Sequence, residues 1–138
     1  MSFGKPRSAA SAWSGTAGPA AASWPAQSGL SESDRELMTA LGAFHLRYGR
    51  TDEALALLQL VIRIWPQDRT ALRLLTQSFL AIGDHASAEM TDRAYQLRQP
   101  IPTRADMLRR AAIWLGLGQI NKAHSSLMSA ISTLRAQQ

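Results

Sequence analysis

The side chains that could take part in chemistry are scattered along this chain. The three histidines, His45, His85 and His124, lie far apart in sequence, and no two are one helical turn apart, the spacing at which a pair on one helix binds a metal. The chain has no cysteine, which excludes a thiol nucleophile, a disulfide and a zinc finger. We therefore predict no metal site and no cofactor.

Two further segments contain groups that are common in active sites. Residues 116–122, GLGQINK, have two glycines and a lysine but lack the spacing and the Ser or Thr of a phosphate-binding loop, and no predicted strand precedes them. Asp52 and Glu53 are explained by a helix start, because acidic side chains interact favourably with that end of the helix dipole. Serines such as Ser87 lack a nucleophile-elbow setting. The sequence thus predicts a protein that is not an enzyme.

A repeat of about 34 residues organises the chain. Gly49, Gly83 and Gly118 recur at this interval, and an alanine stands five residues after each of them. Each copy also has two apolar stretches of helical periodicity that flank the glycine. This pattern resembles the tetratricopeptide repeat, whose unit is a pair of helices. The positions of the three alanines are Ala54, Ala88 and Ala123.

The resemblance implies an all-α fold, a right-handed stack of three tetratricopeptide-like helix hairpins (an α-solenoid), in one domain over residues 30–138. We place the repeats at about 35–68, 69–102 and 104–137. The repeated alanine is expected where the two helices of a pair meet, because a bulky side chain there would push them apart. The last helix is expected to bury Ala123, Leu127, Ala130 and Leu134.

Capping and breaking residues set the expected helix ends. Ser33 with Glu36, and Thr103 with Asp106, have capping-box spacing. The repeat glycines are expected at positive φ after a helix, and Pro66 cannot continue one. The expected helices are 34–48, 51 or 52–64, 69–82, 85–99, one that is capped by Thr103 and ends at 116–118, and 120–135.

Residues 1–29 differ in composition from the rest of the chain. They are rich in Ala, Ser, Gly and Pro, so they bury too little apolar surface to offset the entropy of ordering, and we expect a disordered tail. The tail lacks the apolar core of a secretory signal, and the chain has no run of ~18 apolar residues that would span a membrane. Trp13 and Trp24 have two open interpretations. They are chance residues in a solvated linker, or Trp24-Pro25 folds back into a groove of the repeat domain.

The formal net charge is +5 and is carried mostly by arginine. Both signs are mixed over the repeat region, whereas a nucleic-acid-binding domain normally has a stripe of positive charge. We therefore expect neither nucleic-acid binding nor membrane insertion.

In tetratricopeptide repeats the first helix of each pair lines a groove that binds the partner. The leucines at these positions favour an apolar-studded helix or extended peptide as ligand, and Arg47 and Arg73 could contact carboxylates or carbonyls. In the alternative interpretation, Leu108 and Leu115 pack on a C-terminal cap or a second subunit, which leaves a homodimer open. The groove positions are Ala43, Leu46, Arg47, Arg73, Gln77, Leu80, Leu108, Ala112 and Leu115.

The segments LGAFHLRYGRTDEALALLQLVIRIWPQD and ALRLLTQSFLAIGDHASAE resemble small bacterial type III secretion chaperones of the YscY type. The class II translocator chaperones are nearly as similar, and the resemblance covers about residues 30–135. It implies a cytoplasmic, non-catalytic chaperone that holds a secreted partner, or a component of the export apparatus, soluble and competent for export. A general repeat scaffold within a larger complex and a regulatory protein linked to nucleic acid through its arginines remain alternatives.

Overall fold

The computed structural model describes residues 29–137, and this part of the chain consists of six helices joined by short loops, without a strand. The all-α prediction is confirmed for these residues, and each helix end lies within two residues of its expected position. The predicted tail lies outside the described residues except for Gly29. The helices are α1 (Glu32–Arg47), α2 (Thr51–Ile64), α3 (Arg69–Ala81), α4 (His85–Arg98), α5 (Arg104–Gly116) and α6 (Ile120–Ala136).

The chain divides into two compact units between Ala71 and Leu72, near the start of α3. In the first unit α1 packs against α2. In the second unit α5 packs against both α4 and α6, and Thr76 on α3 shares a buried 2.8 Å hydrogen bond with Thr91 on α4. Each unit therefore has its own set of helix contacts.

Capping boxes begin α1 and α5. At α5 the predicted box is confirmed: the Asp106 N–H donates to Thr103 Oγ1 (3.1 Å), and the Thr103 N–H donates to Asp106 Oδ2 (2.9 Å). At α1 the predicted box of Ser33 and Glu36 is wrong, because the cap is Ser31 and its partner is Asp34. The same Ser-x-x-acid spacing occurs twice in this segment, and the earlier copy begins the helix.

The repeat glycines end α1, α3 and α5 in the left-handed conformation. The φ angles of Gly49, Gly83 and Gly118 are 79°, 80° and 77°. Each glycine N–H donates to the carbonyl three residues earlier, which satisfies one of the last carbonyls of the helix. A side chain at such a φ would clash with the backbone, so the expectation of positive φ is confirmed.

The α1–α2 contact depends on a close approach at Gly42. A Cβ at this position would lie 2.7 Å from Cδ2 of Leu58, and Leu58 is fully buried. Ala54, four residues before Leu58 on α2, is also fully buried. The small residues thus lie at buried positions, and the same holds in the second unit for Ala88 and Ala123, as predicted.

Asp68 connects the two ends of the first unit. Its carboxylate accepts a hydrogen bond from Arg35 on α1 and, through Oδ1, one from the Ala71 N–H in the first turn of α3 (2.9 Å). Arg35 also donates to Glu32, and the hydrogen bonds to Glu32 and Asp68 raise the pKa of Arg35 above its usual range. A single buried carboxylate therefore caps α3 and holds α1.

The predicted buried face of α6 is only half correct. Ala123 and Ala130 are buried, but the side chains of Leu127 and Leu134 are 37% and 41% exposed. The periodicity of a helix indicates which side is apolar, but it does not show whether a neighbouring helix covers that side. The expectation that these two leucines are buried is therefore wrong.

We predict that Gly42→Ala lowers the free energy of unfolding, measured by urea denaturation followed by circular dichroism. Its Cβ crowds Leu58, at a typical cost of about 1–3 kcal/mol, which outweighs the gain of about 1 kcal/mol that alanine brings to a helix interior. In a Leu58→Ala background the crowding is removed, so Gly42→Ala should stabilise the protein. An equal loss in both backgrounds would contradict the close approach.

Candidate protein-binding surface and the ionic cluster behind it

Three of the predicted groove residues form an exposed apolar stripe on α5. Leu108, Ala112 and Leu115 follow one another at intervals of four and three residues and therefore share one face of the helix. The side chains of Leu108 and Leu115 are 47% and 52% exposed, and Ala112 is also exposed. We call these three residues the α5 stripe.

Another face of α5 carries charged residues that are buried against α4. Asp106 Oδ1 accepts hydrogen bonds from the Tyr95 hydroxyl (3.0 Å) and from Arg109 Nη2 (2.6 Å). Its Oδ2 accepts the Thr103 N–H that forms the α5 cap. One carboxylate therefore begins α5 and also binds it to α4.

A second buried carboxylate completes this arrangement. Asp92 Oδ2 on α4 accepts hydrogen bonds from Arg110 Nε (2.7 Å) and Gln96 Nε2 (2.9 Å), and Asp92 Oδ1 lies 3.9 Å from Arg109 Nε. The guanidinium carbon of Arg109 lies 5.2 Å from the centre of the Tyr95 ring, within the range of a cation–π interaction. We call Asp92, Tyr95, Asp106, Arg109 and Arg110 the α4–α5 ionic cluster.

The cluster keeps Asp106 ionised although it is buried. Burial alone would raise the pKa of Asp106, but hydrogen bonds from the Thr103 N–H, Arg109 and Tyr95 outweigh this effect and lower the pKa below its usual value. Burial raises the pKa of Tyr95, as does its hydrogen bond to Asp106. The hydroxyl is thus a stable donor to the carboxylate at neutral pH.

The cluster balances two carboxylates against two guanidinium groups, so no net charge is buried. The five side chains of the cluster contact one another, and four of these contacts join α4 to α5. Because a buried pair needs good geometry to offset its desolvation, the cluster favours one orientation of α5 over others. That orientation leaves the α5 stripe exposed.

Sequence reasoning identified Asp106 only as a cap and missed the cluster. The signal was present at the repeat positions. Asp92 stands where the other repeats have Leu58 and Leu127, and Arg110 stands where they have Leu41 and Leu75. Leu58 and Leu75 are fully buried, so an acid and a base at their positions on neighbouring helices indicate a buried ion pair.

The remaining predicted groove residues lie on two other helices. Ala43, Leu46 and Arg47 share a face of α1 in the first unit, where Leu46 is half-buried and Arg47 is exposed. Leu46 and Leu80 were predicted to face solvent, but both are half-buried in the fold. A groove formed jointly by the three sets stays a prediction. The set on α3 is Arg73, Gln77 and Leu80, all half-buried.

The described part of the chain contains no group of three His, Cys, Asp or Glu side chains that could hold a metal ion. His85 instead packs against the end of α5, since a Cβ on Gly116 would lie 1.9 Å from Cδ2 of its ring.

Within residues 29–137, no helix has the length and apolar character needed to cross a membrane.

No protein-family model matches this chain, and no curated protein matches it at a significant level.

We predict that Asp92→Leu alone lowers the free energy of unfolding by about 3–5 kcal/mol, because it leaves Arg110 buried without its partner. The double variant Asp92→Leu/Arg110→Leu should recover most of this loss, since it restores the leucines that other repeats have at these positions. Urea denaturation of the two single variants and the double variant measures the coupling. Additive losses would show that the two side chains do not interact.

Acidification should weaken the fold through Asp106. Its folded pKa lies below the unfolded value of about 3.9, so its stabilisation is present above that pH and is lost as the pH falls through the folded pKa. We expect Asp106→Asn to cost about 3 kcal/mol at neutral pH, and the difference from wild type to shrink on acidification below about pH 4. Urea denaturation over a pH series measures this, with Asp52→Asn at an exposed position as the control. A difference that does not change with pH would contradict the role of the ionised carboxylate.

Proposed function

We propose that this protein is a non-catalytic binding module that holds an apolar segment of a partner protein. The observation that carries the proposal is the exposed α5 stripe on a helix whose other side is fixed by the ionic cluster. Apolar patches of this kind on a protein surface mark interaction sites. A rigid helix loses little conformational entropy when it binds, which favours affinity.

Left-handed glycines and buried alanines recur about every 34 residues, and this period supports a three-repeat architecture of the tetratricopeptide type. Gly49, Gly83 and Gly118 share one backbone conformation, and the alanine five residues after each glycine is buried. In such an architecture the first helix of each pair, here α1, α3 and α5, contributes to one binding groove. The α5 stripe would then be the part of that groove supplied by α5.

The partner segment that fits is an amphipathic helix or an extended peptide with apolar side chains at regular intervals. Burying a leucine completely contributes about 1.5–3 kcal/mol, so the exposed halves of Leu108 and Leu115 supply about 1 kcal/mol each. The small side chain of Ala112 between them lets a partner side chain approach the α5 backbone. Several such contacts are needed for micromolar binding, at about −8 kcal/mol, which favours an extended contact surface.

The similarity of residues 30–135 to type III secretion chaperones suggests the identity of the partner. In this role the protein is a cytoplasmic chaperone that covers the apolar segment of a small secreted protein, or of an export component, and keeps it soluble until export. The mechanism requires only the burial of apolar surface and its release, so it needs neither a cofactor nor a catalytic residue.

We predict that Leu108→Asp/Leu115→Asp abolishes partner binding while helicity stays close to that of wild type. Both side chains are about half exposed, so the charges remain hydrated in the free protein but would be buried in a complex. The tagged protein is used to capture its partner from a lysate of its own host, and the captured proteins are identified and quantified by mass spectrometry. A secreted protein or export component should be retained by wild type at near-equal amount and lost from the double variant.

Leu97→Asp is the matched control, because Leu97 on α4 is 76% exposed but is not part of the α5 stripe. This variant should retain the partner. If the double variant binds as well as wild type, the α5 stripe is not the binding surface. If wild type retains only general chaperones or nucleic acid, the proposed chaperone function is wrong.

A further inference from the structure

A second apolar surface lies on α1 and is not part of the predicted groove. Leu37, Leu41, Phe44 and Tyr48 follow one another at intervals of four, three and four residues and share one side of the helix. Their side chains are 60%, 42%, 53% and 65% exposed, and the rings of Phe44 and Tyr48 lie 4.6 Å apart. We call these four residues the α1 face. Four large apolar side chains side by side on an exposed helix form a surface that usually has an occupant.

The repeat shows that this side of the helix is normally covered. Leu37, Leu41 and Phe44 correspond by the repeat interval to three positions on α3 and three on α5. Five of these six residues are buried, and the side chain of the sixth, Arg110, is only 16% exposed. The first helix therefore leaves open a side that the other two bury. The six corresponding residues are Ala71, Leu75, Ser78, Asp106, Arg110 and Ile113.

In the second unit, the structure shows what covers this side. The α5 residues are contacted by α4, the segment that directly precedes α5 in the chain. Tyr95 binds Asp106 from 11 residues upstream, and Asp92 binds Arg110 from 18 residues upstream. The covering segment is thus supplied by the same chain, at a fixed distance before the helix that it covers.

The same distances before α1 lead into the tail. Counting 11 residues back from Leu37 gives Ala26, and counting 18 back from Leu41 gives Ser23. Between them lies Trp24, in a stretch that carries no charged residue from position 8 to position 31. We propose that residues 20–26 of this chain occupy the α1 face, with Trp24 as the apolar anchor.

Tethering favours this segment over a second copy of the protein. Only a few residues separate Trp24 from α1, and an extended chain spans about 3.3–3.6 Å per residue, so Trp24 can reach the middle of the helix. A short flexible connection gives an effective concentration of the order of millimolar, about a thousandfold above a micromolar solution of a second copy. A tryptophan also buries about 150–250 Å², enough to cover several side chains of the α1 face. The inference is independent of the proposed partner protein.

Disulfide trapping in the full chain tests this contact, because the chain has no cysteine of its own. The variant Ser23→Cys/Leu41→Cys places one thiol beside Trp24 and the other on the α1 face. The control Ser23→Cys/Glu36→Cys places the second thiol on a different, exposed side of α1 that is nearer in sequence to residue 23. We expect the first pair to close within one chain about tenfold faster than the control, the factor that a docking preference of about 1.4 kcal/mol gives.

Equal rates, or a faster reaction of the control, would overturn the proposal, because proximity along the chain alone favours the control. A product linked mainly between two chains would also overturn it and would identify a second copy as the occupant. Fluorescence provides a test without cysteines. The emission lost in Trp24→Ala should be blue-shifted relative to the emission lost in Trp13→Ala, and identical solvent-like spectra would contradict the docked tryptophan.

Discussion

Two buried carboxylates join the helices of the second unit of this protein. Asp92 and Asp106 are each about 2% exposed, and each needs an arginine and further hydrogen-bond donors to offset the loss of hydration. Those donors come from both α4 and α5, so their hydrogen bonds to the carboxylates form in only one arrangement of the two helices. Among the described residues, Asp92 Oδ1 accepts no hydrogen bond and lies 3.9 Å from Arg109 Nε. A purely apolar contact would tolerate rotation or sliding of α5, and the ionic cluster does not.

This constraint gives α5 two functional sides. The side that carries Asp106 and Arg110 is fixed, and the side that carries Leu108, Ala112 and Leu115 is consequently held open to solvent. A binding surface benefits from such support, because a partner then meets side chains that are already in place. The corresponding side of α1 has leucines and aromatic residues in place of the ionic cluster, and the described helices leave it uncovered.

Much of the helical framework could be predicted from the sequence, because its signals are local. The glycines at positive φ, the buried alanines and the Thr103–Asp106 cap each depend on residues a few positions apart. Burial was harder to predict, because it depends on what lies across a helix. Leu127 and Leu134 have the periodicity of a buried stripe but no cover, whereas Asp92 and Arg110 are polar and buried. Only their comparison with the leucines at equivalent repeat positions could have identified the pair.

The candidate site shows the same limit. The exposure of the α5 stripe was predicted from the sequence, whereas the partial burial of Leu46 and Leu80 was not, because the periodicity of a helix does not show what covers a given side. Hydrogen–deuterium exchange of the protein alone and in complex with its captured partner tests the central claim most directly. Binding should slow exchange of the backbone amides in Arg104–Gly116 and leave the exchange of α4 around Leu97 unchanged. Slower exchange confined to α4 or α6, with α5 unaffected, would contradict it.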